Sequence, residues 1–494
     1  MDKDLQAIQG VRDLVEKARK AQSILEAYSQ EEVDRLVASM AEQGYRDSHR
    51  LAQLACEETG FGKVESKTEK NIFATRAVYQ SIRNLKTVGI VSEDREKGLY
   101  EVATPMGIVA AIIPVTNPTS TALFKMLISI KARCPIILSP HPKAAKCTRE
   151  SAETMKKAAD SIGAPEGIIG CIPLSTMEAT QELISHPDVA VILATGGAGL
   201  VKAAYSSGKP AIGVGPGNAP AFVERTANIV HSVRCLVASK SFDWGTICAS
   251  EQSVILDQPI EQECLDEFRR QKAYICNEEE VKSLERSMPR GNMMNPDFVG
   301  RSPEVIARMA GFKVPSDTTV LLARQHGVGD RYPLSREKLC PILALYTENG
   351  WESACERCFE LLRYGGAGHT LAIHSLDQKV ITAFALAKPA SRILVNAPSS
   401  QGAVGYATRL VPSMTLGCGS LGKNITSDNI TCTHLLNIKR ISFGKTGWFN
   451  DIASPRVHFS GPTSHPFVSP RYPFDHLFER EGRYFIGPHN NPNI

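Results

Sequence analysis

No apolar run in this 494-residue chain approaches the roughly 18 residues needed to cross a bilayer. Charge of one sign is lacking too. Lys and Arg number 56 against 52 for Asp and Glu, and the net +4 is spread along the chain, so neither nucleic acid nor a membrane surface is an expected partner. No secretory leader precedes the 13 cysteines, an odd number scattered through apolar and helical contexts. A reducing cytoplasm is therefore expected rather than a disulfide framework. The CxxC pair Cys355 and Cys358 lies inside the helical pattern WESACERCFELL without a second pair, so no metal is assigned. The dinucleotide fingerprint GxGxxG is missing from its usual place. What is present, 43% hydrophobic and 22% charged residues, belongs to a folded protein long enough for two or three folding units.

Helical periodicity covers 5–44, where Ile8, Val11, Leu14 and Val15 recur against Lys and Glu, and a second helical stretch covers 48–85. GIVSEDREKGLYEVATPMG (89–107) predicts two strands around a charged turn. From residue 107 strands and helices alternate: GIVAAIIP (107–114), PIILSP (135–140), GIIGCI (167–172), VAVILATGG (189–197) and AIGVGPGN (211–218) are strands separated by helical segments. Repeated units of this kind form a doubly wound parallel α/β sheet, with ligands at the carboxyl ends of its strands. A second unit begins past about 226. Its stretch to about 312 contains Cys248 and otherwise looks helical and looped, and a basic strand, LLNIKRISF, closes it at 435–443.

The strand ends carry the candidate contacts. ATGGAG (194–199) ends a strand in glycines that open a helix, so Thr195, Gly196 and Gly197 offer backbone N–H groups to a phosphate. SPHPK (139–143) places Ser139, His141 and Lys143 after a strand, as ligand contacts or as a solvated loop. GVGPGN (213–218) has glycines but precedes no clear helix, and is a weak signal by itself.

IIPVTNPTSTALFK, SPHPK, LATGGAGLVKAAYSSGKPAIGVGPGNAP, SFDWGTICASEQ, EKLCP, GGAGHT and TLGCGS, in this order, resemble the CoA-acylating aldehyde dehydrogenases. The likeness extends to the aldehyde dehydrogenase half of bifunctional aldehyde/alcohol dehydrogenases and to enzymes of aldehyde-handling bacterial microcompartments. It covers about 5–444, and no iron-dependent alcohol dehydrogenase domain is read in residues 445–494. The resemblance implies the aldehyde dehydrogenase fold: a Rossmann-like NAD-binding domain (1–85 and 104–226), an α/β catalytic domain (227–420), a β oligomerisation element (86–103 and 421–444), and an extension at 445–494. A homodimer or higher homo-oligomer, cytoplasmic or inside a microcompartment, is implied with it.

By the family pattern Cys248 of TICASEQ is the nucleophile. A thiolate adds to the aldehyde carbon, and the resulting oxyanion needs preorganised donors, which the resemblance assigns to the Asn117 side-chain amide and the Cys248 backbone N–H. Hydride then leaves for NAD, NADP being left open, and a thioester remains on Cys248. The resemblance places the cofactor on Ile112, Ile113, Pro114, Val115, Thr116, Asn117, Ser139, His141, Lys143, Thr195, Gly196, Gly197, Gly215, Glu337 and Gly419, with Glu337 on the nicotinamide ribose hydroxyls. Hydrolytic relatives carry a glutamate base where this chain has GVGPGNAP (213–220), which holds no carboxylate. The thioester is thus expected to await coenzyme A, with His369 of GGAGHT either its base or a residue that packs the loop or contacts CoA. A hydrolytic enzyme, an acyl-phosphate reductase and an assembly protein that keeps only the fold are the rival readings.

Trp244 replaces the family's usual Asn, and either narrows the aldehyde tunnel or packs outward. Arg409 either holds an anionic aldehyde such as succinate semialdehyde or sulfoacetaldehyde, or is solvated. A short-chain aldehyde of acetaldehyde type is the default substrate. The proline- and aromatic-rich extension, with one short helical piece at 474–480, is expected to lie over a neighbouring subunit or to tether the enzyme in a compartment.

Overall fold

The computed structural model describes residues 3–290 and 293–444. Two antiparallel strands, β1 (Gly89–Asp94) and β2 (Leu99–Pro105), form the expected hairpin. The strands β3 (Ile108–Ile113), β4 (Ile136–Pro140), β5 (Ile169–Cys171), β6 (Val189–Thr195) and β7 (Ala211–Val214) make a five-stranded parallel sheet in the order β5-β4-β3-β6-β7. Every residue of β3 is buried, as a strand covered on both faces requires. The helix Lys3–Leu25 lays the stripe Ala7, Val11, Val15 and Ala18 into the same core cluster as Ile108, Ala110 and Ile137.

A second parallel sheet is built from β8 (Ala219–Val223), β9 (Glu251–Asp257) and β10 (Tyr274–Ile275) and, after the small ribbon β11 (Pro289–Arg290) and β12 (Met293–Met294), from β13 (Leu321–Arg324), β14 (Ile342–Glu348), β15 (Gly368–His374) and β16 (Ala390–Val395). Its order is β10-β13-β14-β9-β8-β15-β16. Finally β17 (Leu436–Ser442) pairs antiparallel with β2, giving a separate three-stranded sheet, β1-β2-β17.

Several expectations need correction. The stretch 5–44 is two helices, because Ser29 and Glu32 form a capping box that starts the helix Gln30–Arg46. The stretch 48–85 is broken where Gly60, at φ +69°, caps the helix Ser48–Thr59, and again by a π-turn at Phe73–Ala77. The first unit does not run to 226. β7 ends at Val214, and β8 pairs with β9 and β15 of the second sheet, so the chain crosses between sheets at 215–218. EQSVILD, read within a helical and looped region, is β9, buried along its whole length. Cys355 and Cys358 sit on the helix Trp351–Tyr364 and pack with Phe222, Ile255 and Leu371. All 13 cysteines are free thiols, and no helix among the described residues is long and apolar enough to cross a membrane. The extension 445–494 lies outside the described residues.

Candidate active site

Register aligns the loops of the first sheet. Ile112 stands beside Ser139 on β4 and Ala194 on β6, so the segments leaving these three strands emerge side by side at the point where strand order reverses. The second sheet contributes the amino ends of its strands: Gly217 just precedes β8, Cys248 precedes β9, Glu337 precedes β14, and His369 is the second residue of β15. The carboxyl ends of one sheet therefore face the amino ends of the other across a cavity of about 540 Å³.

Most of the expected residues line it. Ile112, Ile113, Pro114, Val115, Thr116 and Asn117 follow or end β3; Ser139 and His141 come from β4; Thr195, Gly196 and Gly197 lead from β6 into the helix Ala198–Ser206; Gly215, Cys248 and Glu337 complete the set. The residues fit a dinucleotide. Thr195 Oγ1 and Ser175 Oγ, both in the cavity wall, are buried without a hydrogen-bond partner, beside glycines at a helix start.

Five expected residues are not in the wall: His369, which reaches the site through its contact with Cys248, and Lys143, Gly419, Trp244 and Arg409. Lys143 is exposed in the short turn after His141, its backbone N–H donating to His141 Nδ1 at 3.1 Å. Gly419 turns away into a loop closed by its N–H to Thr426 O (2.9 Å). Trp244 does not narrow the cavity. Its backbone and that of Asp243 are left-handed (φ 51° and 48°), which sends the carboxylate inward and sets the indole against Lys63, 4.2 Å from Nζ to ring centroid. Arg409 is exposed and lies outside the lining.

Cys248 is half-buried, and His369 Nε2 lies 3.2 Å from its Sγ. Burial, then the Glu337 carboxyl and Cys418, push the thiol up to about 12; Arg392 opposes this. Burial, followed by the Arg392 guanidinium, brings His369 down to about 3. The resting pair is a neutral thiol and a neutral imidazole, the other ring nitrogen meeting Thr370 Oγ1 at 2.9 Å. Burial raises Glu337 to about 7, against the backbone N–H of Gly217, which donates to Oε1 at 2.8 Å. Gly217 has to be glycine: a Cβ there would stand 2.2 Å from the Cys248 carbonyl oxygen and 3.2 Å from the His369 ring. The Asn117 amide donates to Thr116 Oγ1 (3.1 Å) and Thr246 O (3.2 Å), so serving an adduct on Cys248 exchanges one of these bonds.

Other participants were not anticipated. Val404, Met414 and Leu416 join Ile247 as an apolar wall, hidden in the sequence among loop residues. Arg392, in a stretch given no reading from the sequence, is buried and donates to the carbonyls of His369, Gly417, Ser427 and Asp428, holding the loop behind the thiol.

A profile of the aldehyde dehydrogenase family matches residues 6–285. The chain belongs to the aldehyde dehydrogenase family. It is 44% identical over 463 residues to aldehyde-alcohol dehydrogenase 2 of Entamoeba histolytica, covering 91% of this chain and 53% of that one. The chain thus spans about half the length of that relative. It is 39% identical to a succinate-semialdehyde dehydrogenase (acetylating) of Clostridium kluyveri, across 89% of this chain and 96% of the other. An acetylating aldehyde dehydrogenase from Geobacillus thermoglucosidasius, solved as a crystal structure, superposes with a TM-score of 0.89 at 53% identity, over 90% of this chain and 98% of that chain.

Proposed function

We propose that this chain is a CoA-acylating aldehyde dehydrogenase, oxidising a short-chain aldehyde reversibly to acyl-CoA with NAD and coenzyme A. The observation that carries it is the Cys248–His369 pair at 3.2 Å, set in a two-sheet crevice whose crossover 213–220 holds no carboxylate. Cys248 Sγ bonds to the aldehyde carbon while its proton passes to His369 Nε2, and the carbonyl oxygen takes the negative charge beside Asn117. A nicotinamide held in the cavity by Thr195, Gly196, Gly197 and Glu337 would supply the hydride acceptor that brings this carbon to the thioester level. His369 gives the Cys248 proton to solvent; the CoA thiol then attacks the thioester carbon as His369 takes its proton, and the Cys248 sulfur leaves as thiolate and takes that proton back from His369. With no carboxylate on the crossover to activate water, hydrolysis is slow relative to transfer.

The cofactor reading draws on Thr195, Ser175 and the glycines opening the helix Ala198–Ser206, with Glu337 as the ribose partner. The apolar wall of Ile247, Val404, Met414 and Leu416 supports a short aliphatic aldehyde. The cation read as a partner for an anionic aldehyde, Arg409, stands outside this wall. The sheet β1-β2-β17 carries exposed Ile90 and Ile441 and is the element through which copies of the chain associate in this reading. The test is NADH formation with a panel of straight-chain aldehydes, with and without CoA, and identification of the product. Acyl-CoA appearing only with CoA is expected; free acid formed at the same rate without CoA sinks the proposal.

A further inference from the structure

Behind Asn117 lies a buried charge cluster that the acyl-transfer chemistry does not use. Lys67 and Lys70, three apart on the helix Val64–Ile72, both turn inward to Asp243, which is 0% exposed, the lysines being 2% and 4% exposed. Asp243 accepts from Lys67 Nζ (3.0 Å), the Lys63 backbone N–H (2.8 Å), Thr246 Oγ1 (2.7 Å) and Lys70 Nζ. Lys67 Nζ also donates to Thr116 O at 2.9 Å, and Lys70 Nζ donates to Asn117 Oδ1. Two ammonium groups against one carboxylate is a costly arrangement to bury, and a fold gains little from it. The backbone around it is tight as well. Asp243 and Trp244 are consecutive left-handed residues, and a Cβ on Gly62 would stand 1.9 Å from Asp243 Oδ1. Such strain concentrates where function needs a fixed geometry.

An ammonium only donates, so Lys70 can meet only the oxygen end of the Asn117 amide. That contact leaves Nδ2 facing Thr246 O, two residues ahead of Cys248. We propose that Lys70, held by Asp243, is a positioning residue for the Cys248 reaction: it fixes the Asn117 amide with its N–H side toward the oxygen of the aldehyde adduct. Its charge on Oδ1 also polarises the amide and strengthens the donor. Burial lowers Lys70 to about 8, with Asp243 opposing the fall, so it stays charged at neutral pH. The proposal rests on the reading of Asn117 as an oxyanion donor.

A double-mutant cycle on the full chain tests it, measuring kcat and KM for acyl-CoA formation. Lys70→Met keeps the side chain's bulk and leaves Asp243 paired with Lys67; it is expected to lower kcat about 10- to 100-fold with KM for aldehyde within about threefold. Lys70→Gln, which keeps an N–H for Oδ1 without the charge, is expected to recover most of that loss. In the Asn117→Ala background either Lys70 change should cost less than about twofold, because the residue acts through Asn117. Losses that multiply in the double variant, a loss confined to KM, or a wild-type kcat in Lys70→Met overturn the proposal. Should Lys70→Met fail to fold, Lys70→Leu, which also removes the donor, is judged by the same criteria. A wild-type kcat in Asn117→Ala alone removes the underlying reading, and is seen without any change at Lys70.

Discussion

His369 Nε2 lies 3.2 Å from Cys248 Sγ, yet burial holds the thiol at about 12 and the imidazole at about 3, so their contact is a hydrogen bond between neutral groups. The nucleophile is therefore made on demand, by proton transfer as the aldehyde carbon arrives, rather than stored as an ion pair. Alkylation of Cys248 by iodoacetamide should climb steadily from pH 6 to 9, without the plateau above pH 7 that a preformed thiolate gives. A plateau in the wild-type rate, read by mass spectrometry of the Cys248 peptide, would contradict the neutral pair. Cys248→Ala should abolish acyl-CoA formation and its reversal while circular dichroism stays unchanged.

Asn117 is the second half of that chemistry. Removing one oxyanion donor costs roughly 100- to 1000-fold in kcat in well-studied enzymes, and Asn117→Ala is expected to fall in that range. The aldehyde KM should hardly move, since the oxygen carries little charge before attack. A defect seen only in KM would assign Asn117 to ground-state binding.

Much of this site was readable because its residues stand in long local motifs. Cys248, Asn117, His369 and Glu337 all came from such motifs, and the structure brings them to one crevice. What escaped was set by distant partners. Lys67 and Lys70 look like the solvated face of a helix until Asp243, more than 170 residues away, is folded against them. EQSVILD begins with two polar residues that suit a loop, and only distant donors, Ser239 and the Ser399 N–H to Glu251 and Lys240 and the Lys338 N–H to Gln252, make their burial tolerable. The crossover at 215–218 was ambiguous for a related reason. Gly215 lines the cavity, whereas Gly217 serves neither a phosphate turn nor a helix start but a close approach to the nucleophile's own carbonyl.

That approach is itself testable. Gly217→Ala puts a methyl 2.2 Å from the Cys248 carbonyl oxygen, backbone that cannot swing aside as a side chain can. Cys248 must shift relative to His369 and Asn117, and a displacement near 1 Å costs about 100-fold in rate. The expected outcome is a loss of kcat of that order in a folded protein. Equal activity to wild type would show that the crossover is pliable.

His374, at the end of β15, is a buried imidazole with neither ring nitrogen hydrogen-bonded. Burial, with a smaller contribution from His231, brings it from 6.5 down to about 4. The unfolded chain therefore takes up a proton that the folded chain refuses, and stability from this residue is intact at pH 7, falls once pH drops below about 6.5, and is gone by about 4. Between pH 7 and 5 the loss amounts to about 2 kcal/mol. Urea midpoints measured at both pH values for wild type and His374→Leu check it. The leucine variant should lose less stability on acidification by that amount, whatever its stability at pH 7, and parallel losses in the two proteins would show that His374 titrates normally.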